Sequence, residues 1–227
     1  MKRPCIAFKM NYCDGGGDAE HIGYRGICGD AVIRYNIAKA KHSWCSNDEC
    51  ECKKFFDGKI SRRKLETFWA PDDPERYTCY ESALLRDWFV EAGWNADGVT
   101  PRKINNVEER HLCVLTTKYP DKPEDSRFVF ALFIIHEIFS GDADNAGHVA
   151  AGEDFCLEFR PREAEQMKFW DIYQNPNAPN RIQWGSGLFR YFDDATAVKF
   201  LERAVEVKRG TPEENFAKEI LRHYPYR

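Results

Sequence analysis

The sequence predicts an α+β fold: a small curved mixed sheet or partial barrel flanked by helices, with a cysteine-rich helical N-terminal part. Strand-like apolar runs cluster in the second half of the chain, over residues 111–118, 127–139, 155–159 and 187–192. Helix-like patterns lie before and after them. We therefore expect a helical, cysteine-bearing part over residues 1–109 and a strand-rich part with C-terminal helices over residues 110–227, which together can form one compact unit.

The first part begins with a short predicted strand over residues 5–10. Gly29 and Asp30 then look like the start of a helix that runs to about residue 41. Ser61 is typical of the N-cap of a short helix that ends near residue 69. Apolar residues repeat at i,i+4 between residues 80 and 92, and Gly93 follows them, so we predict a core helix over that range.

Two helices are predicted after the last strand. Asp194 is expected to cap a helix that runs to about residue 207. Residues 211–214, Thr-Pro-Glu-Glu, match a capping box with proline at the first helical position. That pattern predicts the start of the final helix.

Composition narrows the class of protein. The chain has 227 residues, 43% of them hydrophobic, which is enough for a substantial core. Its apolar runs are too short to cross a membrane, and the start of the chain lacks the apolar region of a signal peptide. Nine cysteines without such a signal favour a reducing cytoplasmic setting, with metal-bound or free thiols rather than disulfides.

The most specific feature is a segment with three cysteines in eight positions, Cys45, Cys50 and Cys52. Charged and amide residues separate them, so we expect these thiols either to hold a metal or to be exposed and open to oxidation. Cys79, just before a predicted helix, is our first choice as a fourth ligand, and Cys28 and His42 are alternatives. A structural zinc ion is the expected cofactor, and an iron–sulfur cluster is the alternative.

A loop rich in glycine and aspartate follows the first strand. Three consecutive glycines lie between Asp14 and Asp18, and Asp30 follows at the next predicted helix. Such a loop allows close approach of the backbone to a ligand, and no P-loop lysine follows it. The alternatives are a flexible turn and a loop that places Asp14 or Asp18 at a catalytic site, with Asp30 as the second choice.

Basic residues follow the cysteine segment in spite of the net charge of −4. We consider a phosphate-contacting patch and a solvated helix face equally plausible for this block. The candidate phosphate ligands are Lys53, Lys54, Arg62 and Arg63.

Aromatic residues crowd into residues 169–192, with asparagines and an aspartate between them. Core packing accounts for part of this set, and the rest can form a pocket that stacks on a planar base. The candidate base-binding residues are Trp170, Tyr173, Trp184, Phe189 and Tyr191.

The predicted strands are followed by residues 184–191, with the sequence Trp-Gly-Ser-Gly-Leu-Phe-Arg-Tyr, and then by a helix. This order of elements resembles the PUA-related domains of the EVE, YTH and ASCH type. The resemblance covers roughly residues 110–207. It implies binding of nucleic acid with a flipped or modified base enclosed by aromatic rings. Similar domains occur in bacterial systems that recognise modified phage DNA, and a compact anti-phage DNA glycosylase is one such enzyme.

We therefore expect recognition of a modified base in DNA, with hydrolytic excision by a DNA glycosylase as a possible activity in antiviral defence. Excision needs a pocket for the extruded base and a carboxylate near the sugar. One alternative is a non-catalytic nucleic-acid reader or RNA-binding module. Another is a metal-stabilised protein-interaction domain, whose partners the sequence does not identify.

Overall fold

The computed structural model describes residues 2–15, 23–95, 97–185 and 187–226. The chain divides into two compact units. The first, called the sheet unit here, consists of Met1–Met10, Phe89–Thr117 and Pro123–Arg227. The second, called the cysteine unit, consists of Asn11–Trp88 and Lys118–Lys122. The predicted boundary between residues 109 and 110 lies inside the sheet unit, because two strands from the first half of the chain pair with strands from the second.

The sheet unit is built on a six-stranded mixed sheet with the strand order β2-β5-β4-β3-β1-β6. Its strands are β1 (Cys5–Lys9), β2 (Phe89–Glu91), β3 (Leu112–Thr117), β4 (Phe128–Phe139), β5 (His148–Glu158) and β6 (Phe189–Phe192). β1 and β3 are parallel, and the other neighbours are antiparallel. The mixed α/β character agrees with the prediction. Within the described residues the sheet stays open, with β2 and β6 at its edges, and does not close into a barrel.

The central strands form where the sequence is most apolar. Every residue of β3 is buried, and so are the first six residues of β4. Runs of this kind are typical of strands that are covered on both faces. The register of β4 shifts against both of its neighbours, which marks β-bulges in this long strand.

Short helices make up most of the regular structure of the cysteine unit. They are α1 (Asp30–Arg34), which continues into a π-helical turn (Tyr35–Lys39), α2 (Glu51–Phe56), α3 (Arg62–Glu66) and α4 (Tyr80–Asp87). Ser61 caps α3 as predicted, because its hydroxyl accepts a hydrogen bond from the Lys64 amide. α3 ends at residue 66 rather than near residue 69.

The predicted core helix over residues 80–92 is too long. α4 ends at Asp87, and its C-cap Trp88 adopts a left-handed backbone conformation with φ of 48°. The next three residues form β2, which pairs with β5 through Phe89, Val90 and Glu91. The helical repeat in the sequence continued through residues whose β propensity and pairing with β5 favour a strand.

The helices of the sheet unit are α5 (Pro161–Ala164), α6 (Phe169–Ile172), α7 (Asp194–Val207) and α8 (Glu214–His223). The N-cap of α7 is Asp193, not Asp194, since the Asp193 carboxylate accepts from the Thr196 amide at 2.9 Å. The predicted capping box before α8 is also wrong. The Thr211 hydroxyl donates to the carbonyl of Lys208, and the helix starts at Glu214.

Candidate functional site

The predicted catalytic aspartates lie in the cysteine unit, where the described ones make structural contacts. Asp14 accepts a hydrogen bond from the Gly29 amide at 2.7 Å. A Cβ at Gly29 would lie 2.8 Å from the same carboxylate, so glycine allows the close approach. Asp30 is exposed and forms an ion pair with Arg62 at 3.1 Å. Asp18 lies outside the described residues. The Asp14 bond holds the loop after β1 against the start of α1, and the Asp30 ion pair joins α1 to α3.

The predicted phosphate ligands are largely neutralised by neighbouring carboxylates. Lys53 binds Asp57 at 2.5 Å, and Lys54 binds Glu51 at 2.8 Å. Arg62 bonds to Glu66 and to Asp30, and it also donates to the carbonyl of Cys28. Within the described ranges, Arg63 is the exception: it is exposed and forms no ion pair. Three of the four candidate phosphate ligands are therefore ion-paired, and in the described part of the chain Arg63 is the one of the four that is not.

The predicted base-binding aromatics fall into two groups. Trp170, Tyr173 and Trp184 surround the buried ring of Phe169, with centroid distances of 5.0–5.2 Å. Tyr173 and Trp184 are buried, 5% and 2% exposed, and the guanidinium groups of Arg127 and Arg190 lie over the Trp184 ring. Tyr173 and Trp184 are therefore part of the core, and Trp170 is half-buried beside them.

The second group consists of Phe189 and Tyr191 on β6, which contact each other at 5.4 Å. Alternate residues of a strand point to opposite faces of the sheet. Arg190, between them, lies over Trp184, so Phe189 and Tyr191 project from the other face. The structure therefore does not bring the five aromatics into one pocket.

A groove of about 420 Å³ lies in the sheet unit, beside Tyr191. It is found at the end of the sheet where β1 and β3 begin and β6 ends. The register shows this, because Ile6 pairs with both Cys113 and Tyr191. The groove is lined by Lys2, Arg3, Asn105, Asn106, Val107, Glu108 and Tyr191.

The side chains in the groove combine an aromatic ring, amides and charges. The Tyr191 hydroxyl accepts a hydrogen bond from the backbone amide of Asn105 at 3.1 Å, which fixes the half-buried tyrosine ring. Burial raises the pKa of this phenol, so it is neutral at physiological pH. Lys2 forms an ion pair with Glu108 at the surface. The side chain of Arg3 is exposed as well. Residues 2–3 and 105–108 meet because β1 and β3 pair in parallel. The sequence offered no sign of this pairing, so it did not predict the groove.

A buried polar network lies in the same unit. The Tyr224 hydroxyl donates to Asp194 at 2.6 Å and is 3.3 Å from the Cys5 sulfur. His111 lies between the carbonyl of Glu109, at 3.0 Å from Nδ1, and Asp194, at 3.6 Å from Nε2. Burial raises the pKa of Cys5 to about 12, so the thiol stays protonated. The network contains cysteine, histidine and aspartate but lacks an activated nucleophile, and we interpret it as structural.

The predicted metal ligands are close together in the cysteine unit. The thiols of Cys50 and Cys79 are near enough to Cys52 to raise its pKa, and both also raise the pKa of Cys45. Cys45 and Cys52 are buried, so the alternative of exposed, oxidisable thiols is wrong for these two. Hydrogen bonds from the Cys52 thiol and from amides at the start of α2 lower the pKa of Cys50 to about 6.

No group of three or more histidine, cysteine, aspartate or glutamate side chains in the described ranges is arranged to hold a metal ion. Within those same ranges, no helix is both long enough and apolar enough to cross a membrane. No protein-family model matches the chain, and the comparisons with curated proteins and with solved structures found no match.

Proposed function

We propose that the sheet unit binds a nucleic-acid base, in DNA and in modified form, in the groove beside Tyr191. The groove itself is the observation that carries the proposal. Its volume of about 420 Å³ falls in the usual range for small-ligand sites. It combines a tyrosine ring with the amides of Asn105 and Asn106 and the cation of Arg3.

Each of these groups has a counterpart in a nucleotide. A half-buried aromatic ring stacks on the face of a base, and asparagine amides donate to and accept from its edge. An exposed guanidinium binds phosphate oxygens with paired hydrogen bonds. The proposed base site thus keeps Tyr191 from the predicted aromatic set and replaces the buried Tyr173 and Trp184 with polar residues of the groove.

Excision of the base is the enzymatic extension of this proposal. It requires a carboxylate at the sugar, and Asp14, Asp18 and Asp30 remain the candidates from the sequence. Asp14 and Asp30 already hold neighbouring groups, so their replacement by asparagine also tests a structural role.

A DNA titration tests the binding proposal. We expect the protein to bind labelled DNA that carries modified bases, and Tyr191→Ala to weaken the affinity about 10-fold, since one base–aromatic stack contributes roughly 1–3 kcal/mol. Arg3→Gln is expected to lower the slope of log affinity against log salt concentration by about 0.9. Tyr77→Ala is the matched control, because Tyr77 is 56% exposed and lies in the cysteine unit.

Unchanged affinity in Tyr191→Ala would refute the proposed base site. Incubation with modified and plain phage DNA, followed by a probe for abasic sites, tests excision. Abasic sites in neither DNA would leave binding without catalysis, which is the reader alternative.

We also propose a structural zinc ion on Cys45, Cys50, Cys52 and Cys79. The thiol contacts in the cysteine unit support it. A zinc-held unit whose basic block is already ion-paired favours the alternative of a protein-interaction domain. That alternative predicts no affinity for DNA even at low salt, so the same titration separates it from base binding.

A further inference from the structure

Basic side chains gather around Gly187, just before β6 in the sheet unit. A Cβ built at Gly187 would lie 3.4 Å from Nη1 of Arg190 and 3.9 Å from Nη1 of Arg102. The guanidinium groups of these two arginines, which are far apart in sequence, therefore face the same small space over the glycine backbone. Glycine leaves this space open, because any other residue would place its Cβ there.

Lys9 brings a third cation to this part of the sheet. Ala7 pairs with Arg190, and Lys9 is two residues further along β1, so both basic side chains project from the same face. The Lys9 amide also donates to the carbonyl of Leu188 at 2.7 Å. This bond holds the end of β1 beside the segment that carries Gly187.

The cluster carries more positive charge than the carboxylates around it. In the described part of the chain, neither Lys9 nor Arg102 forms an ion pair. A further arginine on the Trp184 ring, Arg127, is already held by Glu124 through two hydrogen bonds of 2.5 and 3.1 Å. Burial lowers the pKa of Lys9, and three neighbouring arginines lower it further, whereas Glu124 raises it. Like charges held this close repel each other, and a bound anion relieves the repulsion.

The two arginines are held in place before a ligand binds. Nε of Arg102 donates to the carbonyl of Trp94 at 2.8 Å. The guanidinium carbon of Arg190 lies 5.5 Å from the centroid of the Trp184 ring, and the indole N–H of Trp184 donates to the Gly187 carbonyl at 3.2 Å. The buried indole thus fixes both a guanidinium group and the glycine backbone, which lowers the entropy cost of binding an anion there.

Two guanidinium groups and an ammonium suit a phosphate group. A guanidinium binds phosphate oxygens with paired hydrogen bonds, and an ammonium adds a compact charge. A phosphate monoester carries close to two negative charges at neutral pH. It therefore balances more of the positive charge of the cluster than a carboxylate or a phosphate diester, which carry about one each.

We propose that Lys9, Arg102 and Arg190 form a binding site for a phosphate monoester over Gly187. This inference goes beyond the proposed base site and does not depend on it. Arg190 and Tyr191 are neighbours on β6, and their side chains project from opposite faces of the sheet. A free nucleotide and the phosphorylated end of a DNA strand both present this chemistry.

A phosphate titration followed by NMR tests the site. We expect inorganic phosphate to shift the indole N–H resonance of Trp184 in a saturable way, whereas sodium chloride at the same ionic strength does not. Arg102→Gln is expected to weaken the phosphate affinity about 10-fold, because it removes a charged hydrogen-bond donor. Lys199→Gln is the matched control, since it removes the same charge from an exposed side chain on α7 and should leave the affinity unchanged.

Two further ligands identify the source of the phosphate. A deoxynucleoside 5′-monophosphate that binds more tightly than inorganic phosphate indicates a free nucleotide. A DNA strand with a 5′-phosphate that binds more tightly than the same strand without it indicates a DNA end. In both cases Arg102→Gln is expected to lower the affinity by the same factor as for inorganic phosphate.

The measurement on the unmutated protein needs no variant, so the absence of a saturable shift of the Trp184 resonance would overturn the inference directly. An equal response to sodium chloride, or the same loss of affinity in Lys199→Gln as in Arg102→Gln, would also overturn it. The base site is judged separately, because the Tyr191→Ala titration measures binding on the other face of the sheet.

Discussion

Replacement of Lys208 is expected to destabilise the sheet unit by about 3 kcal/mol, the lower end of the cost of breaking a buried ion pair. Lys208 follows α7, and its side chain is 2% exposed. Its ammonium lies 2.7 Å from Glu163 Oε2 on α5 and 5.3 Å from the centroid of the Phe159 ring. The same Glu163 oxygen accepts from the Arg160 amide at 2.8 Å.

The magnitude follows from the distances. At an effective dielectric constant of about 20, two unit charges 2.7 Å apart attract by roughly 6 kcal/mol. Desolvation of the two ions offsets much of this attraction. In Lys208→Met, the Glu163 carboxylate stays mostly buried, and among the described residues only the Arg160 backbone amide still donates to it. This leaves a poorly paired buried charge, which accounts for the expected loss of stability.

Glu163→Gln is expected to cost less, about 2 kcal/mol. The Lys208 ammonium then still has Glu213, whose carboxylate is 3.8 Å away, where the attraction is roughly 4 kcal/mol. In the double variant neither member of the pair is charged. Its loss of stability is therefore expected to be smaller than the sum of the single losses by about 2 kcal/mol.

Hydrogen exchange of α7 amides measures the stability of this unit separately, which matters because a chain with two units need not unfold in one step. Lys199→Met is the matched control, since Lys199 is exposed on the same helix. Additive effects of the two replacements, or a Lys208→Met loss no larger than that of Lys199→Met, would refute this reasoning.

Two further predictions concern single carboxylates. The Thr100 hydroxyl and the Thr100 and Val99 amides donate to Asp97 and lower its pKa to about 2. Because this pKa is below the unfolded value of about 3.9, the bonds stabilise the fold above that pH and their contribution is lost as the pH falls towards 2. An NMR titration should show the Asp97 carboxyl with a midpoint near pH 2, and a higher midpoint in Thr100→Val. An Asp97 midpoint at the unfolded value in the unmutated protein would contradict this prediction. Asp193→Ala removes the N-cap of α7 and should lower the stability measured by hydrogen exchange by about 1 kcal/mol. Asp193→Asn keeps a hydrogen-bond acceptor and should leave the stability nearly unchanged. Equal losses in the two variants would contradict the capping role of Asp193.

Local signals in the sequence predicted the elements well where one interaction decides the structure. The apolar run of β4 and the hydroxyl of Ser61 act within their own segments, and both were interpreted correctly. The end of α4 was not, because residues 89–91 follow a helical repeat but pair with β5, about 60 residues away. Strand pairing between distant segments is not encoded in local periodicity.

The same limit applies to the candidate sites. Tyr191 was identified by composition, but the groove needs Arg3 and Asn105, which only the pairing of β1 with β3 brings near it. Cys45, Cys50 and Cys52 stood out because they are close in sequence. Cys13 was unremarkable there, and its hydrogen bond to the carbonyl of Gly26 depends on how the loop after β1 folds against the segment before α1.

The loop after β1 carries both an aspartate that was expected to be catalytic, Asp14, and a cysteine, Cys13. Asp14 accepts a hydrogen bond from the Gly29 amide at 2.7 Å, and the thiol of Cys13 beside it donates to the carbonyl of Gly26 at 3.6 Å. Both bonds tie the loop after β1 to the segment before α1. Asp14→Asn is therefore expected to speed the hydrogen exchange of the Gly29 amide, because a neutral amide oxygen is a weaker acceptor than a carboxylate. Unchanged exchange in this variant would contradict the structural role of Asp14 and leave it to a purely catalytic one.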